Sequence, residues 1–265
     1  MRDSGRGVSI SGPLRRRCLG VLGTATFLGS WWLVSSTYVG GGGGTVPSPL
    51  VVLQAAVSLL QDDAFWEATA VTLQRGFAGL SLALALSVIV ALLLTASRVV
   101  NAALEPLISL AYPVPRIALY SIAVAALGIG ALPQISIVVV ECVFPLTVTI
   151  YAGLRSIDKN LIWMARNAGA GIVVASFVIL RMALPTVFTG LRIAAPLMLT
   201  LTVAAQMFTG SADGLGYLIQ LSSSRLITAD IFAIAILIGI LGYVTDRVIV
   251  LLDQWTSRHL RRVAM

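Results

Sequence analysis

Few side chains in this 265-residue sequence could make or break bonds. It has one His, two Cys (Cys18 and Cys142) and a single Lys, Lys159. His, Cys, Asp and Glu nowhere cluster at ligand or triad spacing, which argues against a metal centre and against nucleophilic or acid–base catalysis. No Gly-x-x-x-x-Gly-Lys-Ser/Thr stretch occurs, so the chain lacks a loop that could cradle nucleotide phosphates. It is expected to be no enzyme and to bind no cofactor of its own.

The residues that remain for chemistry are ionisable or amide side chains set in apolar runs. Burying charge in hydrocarbon is costly, so each such residue is a functional candidate. Arg116 follows a Pro-x-Pro at Pro113 and Pro115, Glu141 sits in the apolar stretch 137–144, and Arg192 lies early in a later run. Arg116 could contact a sulfonate or carboxylate crossing the protein, or it could pair with Glu141 in a salt bridge between neighbouring helices. Gln206 could line a path or make a helix–helix hydrogen bond. A self-energised transporter or channel would need a relay of intramembrane carboxylates, and Glu141 is the only deep one.

The elements holding these residues follow from composition. Hydrophobic residues make up 58% and charged residues 11%, about half the charged share of a soluble domain. A bilayer core needs about 20 apolar residues per helix. Six runs qualify: 19–38, 72–96, 107–127, 135–154, 187–208 and 231–252. The expected fold is an all-α polytopic membrane protein, with a basic cytoplasmic N-terminus (1–18), a first span, an external loop (39–71), a core of five spans (72–252) and a basic cytoplasmic C-terminus (253–265). Gly40 to Gly44, Pro47 and Pro49 interrupt the external loop, and residues of about 50 to 60 could form a short interfacial helix.

The net charge of +7 is placed for topology. Arg2, Arg6, Arg15, Arg16 and Arg17 precede the first run, and Arg258, Arg261 and Arg262 follow the last. Arg98, Arg155, Lys159, Arg166 and Arg181 fall in the inner loops, as the positive-inside rule requires. No aromatics interleave with the terminal clusters, so nucleic acid is not an expected partner; membrane lipid is. Gly76 and Gly79, and Gly239 and Gly242, form small-x-x-small spacings suited to close helix packing.

One loop is too long for a simple connection. Segment 155–186 is polar at first, still looks helical over 161–181, carries Gly169 and Gly171, and is closed by Pro185. It reads as one or two short helices outside the bilayer, either facing a cytoplasmic partner or resting on lipid.

This segment resembles the cytoplasmic signature loop of permease subunits from binding-protein-dependent ABC importers, Glu-Ala-Ala, three residues, Gly, then Ile-x-Leu-Pro. The matching residues are Trp163-Met164-Ala165-Arg166-Asn167-Ala168-Gly169, followed by 178–185 ending in Ala183-Leu184-Pro185. The wider pattern resembles the sulfonate, taurine and nitrate group: Pro47-Ser48-Pro49, Thr72-Leu73-Gln74-Arg75, Pro113-Val114-Pro115-Arg116-Ile117-Ala118-Leu119, Gly214 to Tyr217, and Asp246-Arg247. Trp163 stands where the group has Glu, Arg181 where it has a proline, and Gln206 where it has Glu.

The resemblance implies a type I ABC importer permease of about six spans in a bacterial inner membrane. It implies a coupling helix carrying Leu161, Trp163, Met164, Ala165, Arg166, Gly169 and Ala170, which docks on a separate ATPase subunit dimer that uses ATP and Mg. It further implies a substrate-binding protein, a second permease (the same chain or a related one), and alternating access for a sulfonate, taurine, nitrate or small heterocycle. Arg192 then falls near the inner mouth, as a structural or gate residue, and Gln206 and Arg116 become pathway candidates.

Overall fold

A computed structural model describes residues 13–39, 46–111, 114–157, 164, 167, 172–208 and 213–263. The described residues form helices and turns only: α1 Pro13–Val39, α2 Pro49–Leu60, α3 Asp63–Ala96, α4 Arg98–Ala111, α5 Arg116–Leu127, α6 Ala131–Arg155, α7 Ile172–Phe208, α8 Leu215–Ser224 and α9 Thr228–Val263. In the bilayer interior only intra-segment hydrogen bonds can satisfy the backbone, which is why these apolar runs are helical. Among the described residues, four stretches are long and apolar enough to span a membrane: Asp63–Ala96, Ala131–Arg155, Met182–Phe208 and Thr228–Thr256. Helix α1 covers the expected first span at 27 residues.

Three expectations change in detail. The expected third span, 107–127, is divided between α4 and α5, because Pro115 holds an extended backbone (φ −70°, ψ 100°) and caps α5. At 12 residues α5 is about 18 Å long, well short of a hydrocarbon core of about 30 Å. Pro185 does not close the cytoplasmic segment; it lies inside α7, as does Pro196. Each proline carbonyl accepts a threonine hydroxyl four residues on, Thr189 at 2.9 Å and Thr200 at 2.9 Å, the usual back-bonding of threonine within a helix. Helix α2 stands where a short helix was expected within 39–71, while α3 begins at Asp63, ahead of the expected start of the second span at 72.

The core is built by α3, α6 and α7, which bury Leu80, Ala83, Val138, Cys142, Leu146, Ala194 and Met198 together. Small residues permit the approach. A Cβ on Gly79 would stand 2.6 Å from Val138 Cγ1 and 3.1 Å from the Ile135 carbonyl oxygen, and one on Gly76 would stand 3.1 Å from Met198 Sδ. The second glycine pair behaves differently from expectation. Among the described residues Gly239 has nothing within 4 Å and Gly242 makes only an ordinary 3.6 Å contact with Leu199.

Helix α2 packs on α9, and α1 is tied to its neighbours by Trp31, whose indole N–H donates to the Pro47 carbonyl at 3.1 Å and whose ring stacks on Phe232 at 6.2 Å. Gly79→Val should therefore lower stability in detergent by about 1–3 kcal/mol through overpacking, read as a fall in Tm, while Gly239→Ala leaves it unchanged. Equal effects of the two would contradict this packing.

Candidate functional site

Among the described residues, ion pairs mark three places in the bundle. The first lies at the end that holds the α5–α6 and α7–α8 connections. Arg75, three turns into α3, meets Asp213, just ahead of α8, in a bidentate pair with Nη1 2.8 Å from Oδ1. The same Nη1 donates to Gln134 Oε1 at 2.8 Å. Gln134 is fully buried in the first turn of α6, so one guanidinium joins α3, α6 and the entry to α8. A planar fork suits two acceptors in this way, and a lysine could not reproduce it.

One turn away, Thr72 and Gln206 complete the tie. The N–H of Leu215 donates to Thr72 Oγ1 at 2.9 Å, and the N–H of Gly216 donates to Gln206 Oε1 at 3.2 Å. The Thr72 hydroxyl, with one proton, lies within reach of both Gln206 Oε1 at 3.0 Å and the Ala68 carbonyl at 2.9 Å. These side chains satisfy two N–H groups that the start of α8 would otherwise leave unpaired. The glycines are required here. Gly214 has φ +89° and its Cβ would fall 2.4 Å from Gln206 Cδ, while a Cβ on Gly216 would fall 2.1 Å from the Val203 carbonyl oxygen. Gln206 is buried at 1% exposure, and its Nε2 has no hydrogen-bond partner among the described residues.

The second place is deeper. Arg116, the first residue of α5, lies with Nη1 3.2 Å from Glu141 Oε1, halfway along α6. Both side chains are largely buried, and the guanidinium carbon also sits 5.5 Å from the Phe144 ring centre. The third is a more open pair: Arg192 Nε lies 2.9 Å from Asp246 Oδ1, joining α7 to α9. Next to it Arg247 lies over the Tyr243 ring at 4.9 Å.

Of the expected coupling residues, Met164 is helical and exposed. Leu161, Trp163, Ala165, Arg166, Gly169 and Ala170 lie outside the described residues. Sequence reasoning singled out Arg116, Glu141, Arg192 and Gln206 but named Arg75 only within the Thr72-Leu73-Gln74-Arg75 motif, and it did not single out Asp213 or Gln134. The available signal was an acidic residue directly before Gly-Leu-Gly-Tyr, on the same expected side as Arg75.

The sequence matches the family model described as the binding-protein-dependent transport system inner membrane component over residues 77–258. The chain belongs to that family. It is 30% identical over 245 residues to a protein of Brucella abortus (strain 2308) named as a probable ABC transporter permease protein, covering 91% of this chain and 96% of the relative. It is 29% identical to the taurine transport system permease protein of Escherichia coli (strain K12), covering 88% and 87%. A crystal structure of an amino acid ABC transporter with histidines superposes with a TM-score of 0.54 at 16% identity, covering 79% of this chain and 96% of that one, and so shares the fold. This permease is thus a multi-pass inner-membrane protein, and its matched region runs from within α3 to within α9.

An ion pair taken out of water holds only while both charges remain. Glu141→Gln should destabilise the permease by about 3 kcal/mol in detergent denaturation, and adding Arg116→Gln should restore most of that loss. A double variant as unstable as the sum of its singles would contradict direct coupling.

Proposed function

We propose that this permease forms half of the membrane path of an ABC importer for a small anion of the sulfonate, taurine or nitrate kind. A binding protein delivers the solute, and a partner ATPase dimer, with its own ATP and Mg, drives alternating access. The chain pairs with a second permease, either another copy or a related chain, and both termini face the cytoplasm. The observation that carries the reading is the family match over 77–258, which includes the segment between α6 and α7. The taurine permease among its relatives points to the solute class, and the arginines at the α3, α6 and chain ends support the orientation.

The packing explains how force on that segment would reach the path. Next to the segment, α6 and α7 touch so closely that a Cβ on Gly153 would meet Thr186 Oγ1 at 2.2 Å. Farther along, the Cys142 thiol lies 3.6 Å from the Ala194 carbonyl oxygen and Gly190 sits against Leu146. Interfaces packed this tightly shift as rigid bodies and do not deform. A displacement of residues 156–171 by a docked ATPase would carry α6 and α7 together. Helix α3, packed on both, would follow, along with the Arg75–Asp213 tie at the other end.

Trp163 takes the place of the family glutamate, so docking would rest on an apolar anchor, the kind of residue that dominates small interfaces. Co-purification with the ATPase encoded beside this permease tests it. Trp163→Asp should reduce ATPase recovery at least tenfold, roughly the loss of one hot-spot side chain, with the permease still monodisperse. Undiminished recovery, also after residues 161–170 are replaced by a Gly-Ser linker of equal length, would overturn docking through this segment.

A further inference from the structure

We propose that a basic pocket at the coupling end of the bundle binds the phosphate of an anionic lipid headgroup. The pocket lies between the last turn of α3, the first turn of α4 and the last turn of α6, with a volume of about 410 Å³. Its polar wall is made by Arg98, Asn101, Tyr151 and Arg155, and Leu94 and Leu154 close its inner side. Arg155 leans across it, with Nη1 3.3 Å from the Tyr151 hydroxyl and its guanidinium carbon 5.7 Å from the ring centre.

The charge balance in the pocket sets it apart from the other arginine sites. Arg75, Arg116 and Arg192 each hold a carboxylate. Neither Arg98 nor Arg155 is in a salt bridge with any carboxylate among the described residues. Both guanidinium groups are exposed at the rim of one cavity, where an anion between them would relieve their mutual repulsion, and a guanidinium fork fits phosphate oxygens in paired contacts. The start of α4 adds to this: Arg98 and Asn101 occupy its first turn, where helix N–H groups present partial positive charge. The Asn101 amide and Tyr151 hydroxyl supply uncharged donors.

The occupant argued here is a lipid, because the pocket sits where three helices change from apolar to polar sequence. Leu93 and Val99, 52% and 79% exposed, flank it in the chain and leave apolar surface for acyl groups beside the headgroup. Basic pockets between membrane helices at this level suit anionic headgroups. Ile157 lines the same pocket at the start of the segment that joins α6 to α7. A bound headgroup would therefore brace the root of that segment. The inference is independent of the transported solute, and its test uses the permease without its ATPase, so its failure would leave the import reading intact.

The test is lipid retention by the full chain in nanodiscs, read by native mass spectrometry. In phosphatidylglycerol–phosphatidylcholine mixtures the permease should retain phosphatidylglycerol with a preference that falls about 30-fold in R98Q/R155Q, the product of two guanidinium contacts. R98K/R155K should fall between the unsubstituted chain and R98Q/R155Q, because charge remains but the paired fork contacts are lost, and R225Q, at the opposite end, should change nothing. If the double variant does not elute as a monodisperse helical protein, R98Q alone is read, with an expected fall of about fivefold. No preference for phosphatidylglycerol, or equal retention by R98Q/R155Q, overturns the site. Binding of millimolar inorganic phosphate in pure phosphatidylcholine discs, lost in R98Q/R155Q and without a lipid preference, would overturn the lipid and assign the pocket to a soluble anion.

Discussion

Hydrocarbon offers no partner to a charged or amide side chain, and the placement of nearly every helix here answers to that constraint. Arg116 would be strongly unfavourable at the start of α5 without Glu141, so the short helix is held against the middle of α6. Arg75 imposes a similar condition at the other end, where Asp213 and Gln134 bring α8 and α6 to α3. Apolar packing among α3, α6 and α7 supplies the contact area, but lipid tails compete for apolar contact almost as well as another helix does. The polar ties therefore do more to select which helices meet, and at what register, than to add stability.

That arrangement gives the permease a stiff centre and two kinds of end. One end is laced by Arg75, Thr72, Gln206 and the glycines before α8, an assembly with no spare room for a methyl group at Gly214 or Gly216. The other end opens into the α6–α7 segment and the basic pocket. A transporter that alternates access needs a core that moves as one piece and ends that can respond separately. The close approach of α6 and α7 at Gly153 and Thr186 makes these two helices one piece, as the proposed alternating access would require.

Hydropathy and charge placement made the span pattern legible in the sequence, and four of the six expected runs fall within helices long enough to cross a membrane. The Arg116–Glu141 contact was readable as one of two options, since both residues are charged and set in neighbouring apolar runs. The partners in Arg75–Asp213 and Thr72–Gln206 were not readable, because each pair is separated by more than 130 positions; of these four residues only Gln206 stood out, with a helix–helix hydrogen bond as one of its two readings. Proline was ambiguous for a physical reason: in a membrane helix it can end, kink or merely interrupt, and only the packing around it decides. Pro115 breaks the expected third span, whereas Pro185 does not break α7.

The most direct measurement of the account is solute uptake by proteoliposomes that hold this permease with its ATPase, supplied with the binding protein. The account predicts uptake of a taurine-class anion that requires ATP, requires the binding protein, and is indifferent to a proton gradient. Uptake driven by a proton gradient without ATP, and abolished by Glu141→Gln in a folded protein, would contradict it and would make Arg116 and Glu141 the working pair of a self-energised transporter.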